Sequence, residues 1–244
     1  METISLKLEG ENAHVPVHVF VPDARRRKGA VIFYMDAFGL RPELDEMARR
    51  YADAGYVSFL PDLYHRLDQR HFRIPSTAGE PLDPAMNAAN SRTTLAMSVT
   101  DTAAILDHVA ANPAYGVGRF GTVGYCMGAR HALAAAATFR DRIAACACLH
   151  GGRLVWDGPD SPHTLIPRVS GALYFAFAAD DETCPDQHKR LIEQTIAASS
   201  VRARTEQFSS AHGWTFPSRW CYDPVAAEHA FKAVIDLFDA EVAA

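Results

Sequence analysis

Clustered positive charge is scarce in this sequence. The 244 residues carry 24 Lys and Arg against 29 Asp and Glu, a formal net charge of −5. Binding to a nucleic-acid backbone needs grouped cations, so no nucleic-acid partner is expected. The one basic run, Arg25 to Lys28, falls between two apolar segments and reads as a solvated turn. Long apolar runs are missing too. The longest small-apolar stretch, Ala132 to Ala137, is far below the roughly 18 residues of a membrane span, so no membrane partner is expected. Met1 to Glu11 mixes Glu, Lys and single apolar residues, unlike a signal peptide. The five cysteines are odd in number and irregularly spaced, which suits neither a disulfide framework nor a zinc site. Cys146 and Cys148 lie on one strand face, where pairing is geometrically poor, and are expected as buried thiols. A reducing, cytoplasmic setting follows as an expectation, with no metal and no organic cofactor.

What is present is alternation. Ile4 to Leu8 and Val15 to Val19 alternate apolar and polar residues, predicting two half-exposed antiparallel strands at one edge. Ala30 to Met35, Phe120 to Gly124 and Ala172 to Phe177 are nearly continuous apolar runs, as central parallel strands require. Val57 to Leu60, Ile143 to Leu149 and Ala203 to Phe208 complete the series. Helical spacing marks Pro42 to Ala54, Ser91 to Ala111, Cys126 to Phe139, Pro185 to Ala198 and Pro224 to Val242. The fold class is therefore α/β: one domain over 1–244, doubly wound, with a mostly parallel sheet and an antiparallel N-terminal edge. The proline-punctuated stretch Tyr64 to Asn90 reads as an irregular excursion that shapes access to one end of the sheet.

The sharpest motif is Gly124-Tyr125-Cys126-Met127-Gly128, between the strand at Phe120 and the Ala-rich helix. This is G-x-S-x-G with cysteine in the serine position, in the strand–turn–helix context of a nucleophile elbow. So sharp a reversal leaves no room for side chains two residues either side, and glycine removes them. Cys126 at a helix N-terminus has amides and a dipole that favour a thiolate. The Met127 amide would face a developing oxyanion.

The base of such a site comes from a histidine further along the chain. His131 sits within the elbow helix, and His188 and His229 sit in amphipathic helices. His212, in Ser209 to Trp214, occupies a polar loop after the last strand, at the sheet edge where open α/β folds meet ligands. His150, also just after a strand, is the rival. For the orienting acid, Asp180 and Asp181 follow the strand from Ala172, and spacing alone does not choose between them. Capping the helix at Pro185 is the competing job.

Together these segments resemble the dienelactone hydrolase (carboxymethylenebutenolidase) family of the α/β-hydrolase superfamily, over essentially the whole chain. The carrying residues are Asp36 to Leu40, Gly55-Tyr56, Pro61 to Tyr64, the cysteine elbow, Asp181 four before Pro185, and His212-Gly213. The resemblance implies a triad of Cys126, His212 and Asp181, with Ala37 as second oxyanion donor beside Met127. It also implies a nucleophile-activating carboxylate at position 36, where the family's glutamate is replaced by Asp36. The family's carboxylate-binding arginine, four residues after the histidine, is replaced by Phe216. Arg92 and Arg219 are the candidates for that cation, and Trp214, Phe216 and Trp220 suggest a more hydrophobic substrate. Phe38, Tyr125, Trp214, Phe216 and Arg92 form the expected set of substrate contacts.

The function these readings predict is hydrolysis of a small-molecule ester or lactone through a thioester acyl-enzyme, by a monomer or homodimer. A thioesterase or peptidase with the same triad is one alternative. A ligand-binding relative without turnover is the other.

Overall fold

In a computed structural model, which describes residues 1–243, all eight strands join one sheet in the order β1-β2-β4-β3-β5-β6-β7-β8. The strands are β1 (Glu2–Lys7), β2 (His14–Phe20), β3 (Gly29–Tyr34), β4 (Tyr56–Pro61), β5 (Phe120–Tyr125), β6 (Ile143–Leu149), β7 (Ala172–Asp180) and β8 (Ala203–Ala211). β1 pairs antiparallel with β2, and β2 antiparallel with β4. Every other pairing is parallel. The predicted distinction between strand types is visible in burial. Every residue of β3, β4, β5 and β6 is buried, whereas the edge strands β1 and β8 are mostly half-buried or exposed.

Helices cover both faces. They are α1 (Pro42–Asp53), α2 (Pro84–Arg92), α3 (Leu95–Ala111), α4 (Met127–Thr138), α5 (Asp186–Ala197) and α6 (Pro224–Glu241). Adjacent residues of β5 show the two layers. The Thr122 hydroxyl donates to the Ala132 carbonyl of α4, while a Cβ on Gly121 would strike the Phe238 ring of α6. Successive strand residues point to opposite faces, so α4 and α6 sandwich the sheet. Helix α4 is buried on all sides from Met127 to Ala137, and its alanines allow close approach to β3, β5 and β6. Among the described residues no helix is long and apolar enough to cross a membrane.

The stretch expected to be irregular contains α2, and the single helix expected from Ser91 is two. Asp83 caps α2 by accepting from the Ala85 amide at 2.8 Å, with Pro84 in the first turn. The chain breaks at Thr93 and restarts where the Thr94 hydroxyl caps α3 by accepting from the Met97 amide. Two local capping signals therefore set the boundary, and the apolar stripe belongs to α3 alone.

Candidate active site

The C-terminal ends of the parallel strands converge on one rim. Asp36 to Phe38 follow β3, Cys126 follows β5, His150 follows β6, Asp181 follows β7 and His212 follows β8. A cavity of about 260 Å³ opens there, with Cys126, Met127, Ala37, Phe38 and His212 in its wall.

The elbow geometry explains its glycines. Cys126 adopts φ 54° and ψ −115°, a conformation that L-residues rarely hold. It persists because the neighbouring backbone is tied down: the Cys126 amide donates to Leu149 at 3.1 Å, and its carbonyl accepts from Gly152 at 3.1 Å. A Cβ on Gly124 would overlap the Gly128 carbonyl, and one on Gly128 would overlap the Tyr34 carbonyl. Both positions exclude any side chain, and Cys126 is left half-buried on the cavity wall.

His212 Nδ1 and Asp181 Oδ2 lie 2.7 Å apart. The other oxygen of Asp181 accepts from the Thr183 hydroxyl at 2.6 Å, the Thr183 amide at 2.9 Å and the Cys184 amide at 3.2 Å. One oxygen thus turns the start of the next segment, and the other holds the imidazole. Burial opposes ionisation of Asp181, but the bond and charge of His212, helped by Thr183, hold it below the usual carboxylate range. Burial likewise opposes charge on His212. The negative charge of Cys126 and the Asp181 carboxylate outweigh it and push the imidazole up to about 10. His212 is therefore favoured as an imidazolium, hydrogen-bonded to the Asp181 carboxylate. Asp180, the adjacent acid, is exposed.

His150 is elsewhere engaged. It is fully buried against Trp214 and Phe216, its Nε2 lies 2.7 Å from the Thr215 hydroxyl, and its Nδ1 has no partner. Burial and the neighbouring His212 keep it neutral. Its ring packs edge-on against His212, with centroids 5.2 Å apart, so it backs that imidazole. His131 is buried in α4 beside the Ser98 hydroxyl.

Asp36 corrects an expectation. Its carboxylate is clamped by Arg41, with Nη1 to Oδ1 at 2.7 Å and Nη2 to Oδ2 at 2.9 Å, and Oδ1 also accepts from the Phe38 amide. The shorter side chain is committed to its own loop and makes no hydrogen bond to Cys126. Three further expectations change. Tyr125, Trp214 and Phe216 are buried and absent from the cavity wall. The Tyr125 hydroxyl meets that of Tyr51 at 2.7 Å, Trp214 stacks on Phe208, and Phe216 packs on Tyr125 and under the Arg41 guanidinium. Apolar burial takes these rings inward, away from the cavity. Arg92 is exposed at the end of α2 and does not reach the wall, and Trp220 is exposed. Of the sequence candidates, Phe38 and Arg219 both line the cavity, with the Arg219 guanidinium 5.0 Å above the Phe38 ring.

Sequence reasoning missed Arg130 and Arg153, both in the wall. The signal for Arg130 was its spacing, since a residue four after Cys126 lies on the same side of the helix. Tyr64 was noted only as part of a motif. Its hydroxyl donates to the Ala37 carbonyl at 3.0 Å and touches the Met127 sulfur at 3.3 Å, tying together the two loops that flank Cys126.

A parallel sheet wound on both faces, an elbow after β5, and an acid–histidine pair after β7 and β8 define the α/β-hydrolase fold. Within that fold, the chain belongs to the dienelactone hydrolase family, whose model matches residues 15–242. It is 24% identical over 218 residues to a protein of Escherichia coli (strain K12) provisionally described as a carboxymethylenebutenolidase, covering 85% of this chain and 75% of that protein. Its fold superposes on a provisionally assigned dienelactone hydrolase from Klebsiella pneumoniae with a TM-score of 0.83 at 20% identity, covering 98% and 97% of the two chains. A cold-adapted esterase from an Arctic intertidal metagenomic library gives 0.69 at 17% identity, covering 98% and 93%. The chain is accordingly a hydrolase enzyme of the dienelactone hydrolase type.

Proposed function

We propose that this enzyme hydrolyses carboxylic esters or lactones through a thioester on Cys126, with His212 as acid–base and Asp181 as its orienter. The observation that carries the proposal is a chain of contacts. The Asp181 carboxylate holds the far nitrogen of His212 at 2.7 Å, and the same ring shares the cavity wall with the elbow cysteine, whose charge favours the imidazolium.

The steps follow from that arrangement. The Cys126 thiolate attacks the ester carbonyl, and the carbonyl electron pair moves onto oxygen. The Met127 and Ala37 amides hold this oxyanion, both residues lying in the cavity wall. As the tetrahedral species collapses, the carbon–oxygen bond breaks and the His212 imidazolium gives its proton to the leaving alkoxide. Neutral His212 then takes a proton from water, and the hydroxide attacks the thioester. Expulsion of the sulfur as thiolate restores the starting ion pair, with the product acid formed. Because Asp36 is occupied by Arg41, the resting thiolate has His212 as its counter-ion.

Cys126→Ala should lower kcat for small aryl esters by about 10³-fold or more. Wild-type protein incubated with an activated ester should gain one acyl mass on the Cys126 peptide. Undiminished turnover in the variant, or an adduct on another residue, would remove Cys126 from the mechanism.

A further inference from the structure

His150 is a buried titratable group that the proposed reaction leaves unused. It follows β6 in a left-handed conformation, φ 36°, and its amide donates to the Ala176 carbonyl of β7 at 2.7 Å. His212, Trp214, Thr215 and Phe216, consecutive but for Gly213, all close on its ring. The ring centroids of His212, Trp214 and Phe216 lie 5.2, 4.8 and 5.4 Å away, each edge-on. The Thr215 hydroxyl completes the set at 2.7 Å from Nε2. Tyr125, the residue before Cys126, meets the same ring at 6.0 Å. The turn that carries His212 is thus folded around one side chain from a different strand end.

A single hydrogen bond leaves an imidazole free to swing about it. The bond between His212 Nδ1 and Asp181 fixes one ring atom, and the plane of the ring needs a second constraint. Gly152 bounds one edge, where a Cβ would lie 3.6 Å from Cε1 of His212, and His150 supplies the packed contact. His150 holds that place at a cost. Its buried Nδ1 has no partner among the described residues, a penalty that a phenylalanine of similar size would avoid. The charged groups that face it are the His212 imidazolium and the Arg219 guanidinium, and burial together with these two cations keeps its own ring neutral. A neutral ring can lie against the His212 imidazolium without repelling it.

We infer that His150 is a positioning residue for the hydrolytic reaction. It pins the His212 turn and sets the plane of the imidazole that serves Cys126, while Thr215 fixes the rotation of the pin itself. His150 is absent from the cavity wall, so it acts through His212 and not on the substrate. This inference rests on the ester-hydrolase reading above and adds a residue to its machinery.

The test is a double-mutant cycle on 4-nitrophenyl acetate, joined to an NMR titration of the His212 ring. A catalytic group displaced by about 1 Å costs on the order of 100-fold in rate. His150→Ala should lower kcat by about 100-fold with KM within about twofold of wild type. His150→Phe restores the packing without the Thr215 bond and should recover about tenfold of that loss. Thr215→Val should cost several-fold. His150 and Asp181 act on one imidazole, so the loss in His150→Phe should largely vanish in an Asp181→Asn background. The His212 titration should fall from about 10 toward 6.5 in His150→Phe, as the ring loses its alignment with Asp181. A side chain that only filled space would lower stability and leave kcat, titration and additivity unmoved. Wild-type kcat in the His150 variants, a loss carried by KM, or full additivity with Asp181→Asn would overturn the inference and leave the hydrolase reading intact. If the wild type turns over no ester, the hydrolase reading fails, and the titration decides the pin alone. A fall in His150→Phe then supports it, and an unchanged titration overturns it. The volume-conserving His150→Phe and Thr215→Val keep the test informative if His150→Ala does not fold.

Discussion

Asp36 and Asp181 occupy equivalent places in this molecule. Each follows the C-terminal end of a parallel strand, and each carboxylate is about 1% exposed on the site's rim. Their partners differ. Asp36 gives both oxygens to Arg41, whereas Asp181 gives one to its own loop and the other to His212. The first pair closes on itself, with Glu43 as a further anchor for the same guanidinium at 2.7 Å. The second leaves an imidazole in the same cavity wall as the Cys126 sulfur. A buried carboxylate is thus assigned its job by its counter-ion, and strand-end position alone does not distinguish scaffold from chemistry.

Three substitution or titration experiments sharpen that contrast. Asp181→Asn should have the largest effect, lowering kcat by about 10³–10⁴-fold, because the amide misdirects the imidazole tautomer. Aryl-ester kinetics would check it, and near-normal kcat would move Asp181 to the capping role alone. Asp36→Asn should instead cost stability, about 3 kcal/mol, because it strips the main counter-charge from a largely buried arginine. Urea unfolding would measure this, and kcat should stay within an order of magnitude of wild type. A larger loss of kcat at unchanged fold would restore Asp36 to the chemistry.

The smallest effect is on pH dependence. The folded-state pKa of His212 is raised, so its contribution to stability is complete below its ordinary value of 6.5 and is lost as pH climbs through about 10. Asp181 is depressed, so its share is present above 3.8 and disappears as pH falls further. The thermal midpoint should hold between those limits and decline on the alkaline side by several degrees. Asp181→Asn should flatten the alkaline decline, while Asp36→Asn should keep it. Identical profiles in the two variants would break the comparison.

The contrast also marks where sequence reading works. The elbow is legible because its constraint is local: two backbones too close for any Cβ leave glycine as the only choice at Gly124 and Gly128. The central strands are legible because burial on both faces demands continuous apolar runs. His212 and Asp181 could be placed at a strand end, but their meeting depends on β7 and β8 being neighbours. The partner of Asp36 lies only five residues away, yet the family resemblance drew attention to Cys126 instead. Tyr125, Trp214 and Phe216 point away from the cavity because the direction of an aromatic at a strand end or in the turn beyond is set by packing around His150. Arg130 and Arg153 converge from different elements, and no short window of sequence contains both.

The left-handed backbone at Cys126 has an evolutionary consequence. Helix α4 is seated against β3 with no slack at Gly128, so the Cys126 sulfur, the nucleophile of the proposed reaction, is a fixed origin. Variation in what the enzyme accepts is channelled into α2 and the segment after β6, whose side chains can be exchanged without moving that origin. Descendants of this chain would therefore diversify by re-facing the walls while inheriting the hinge unaltered.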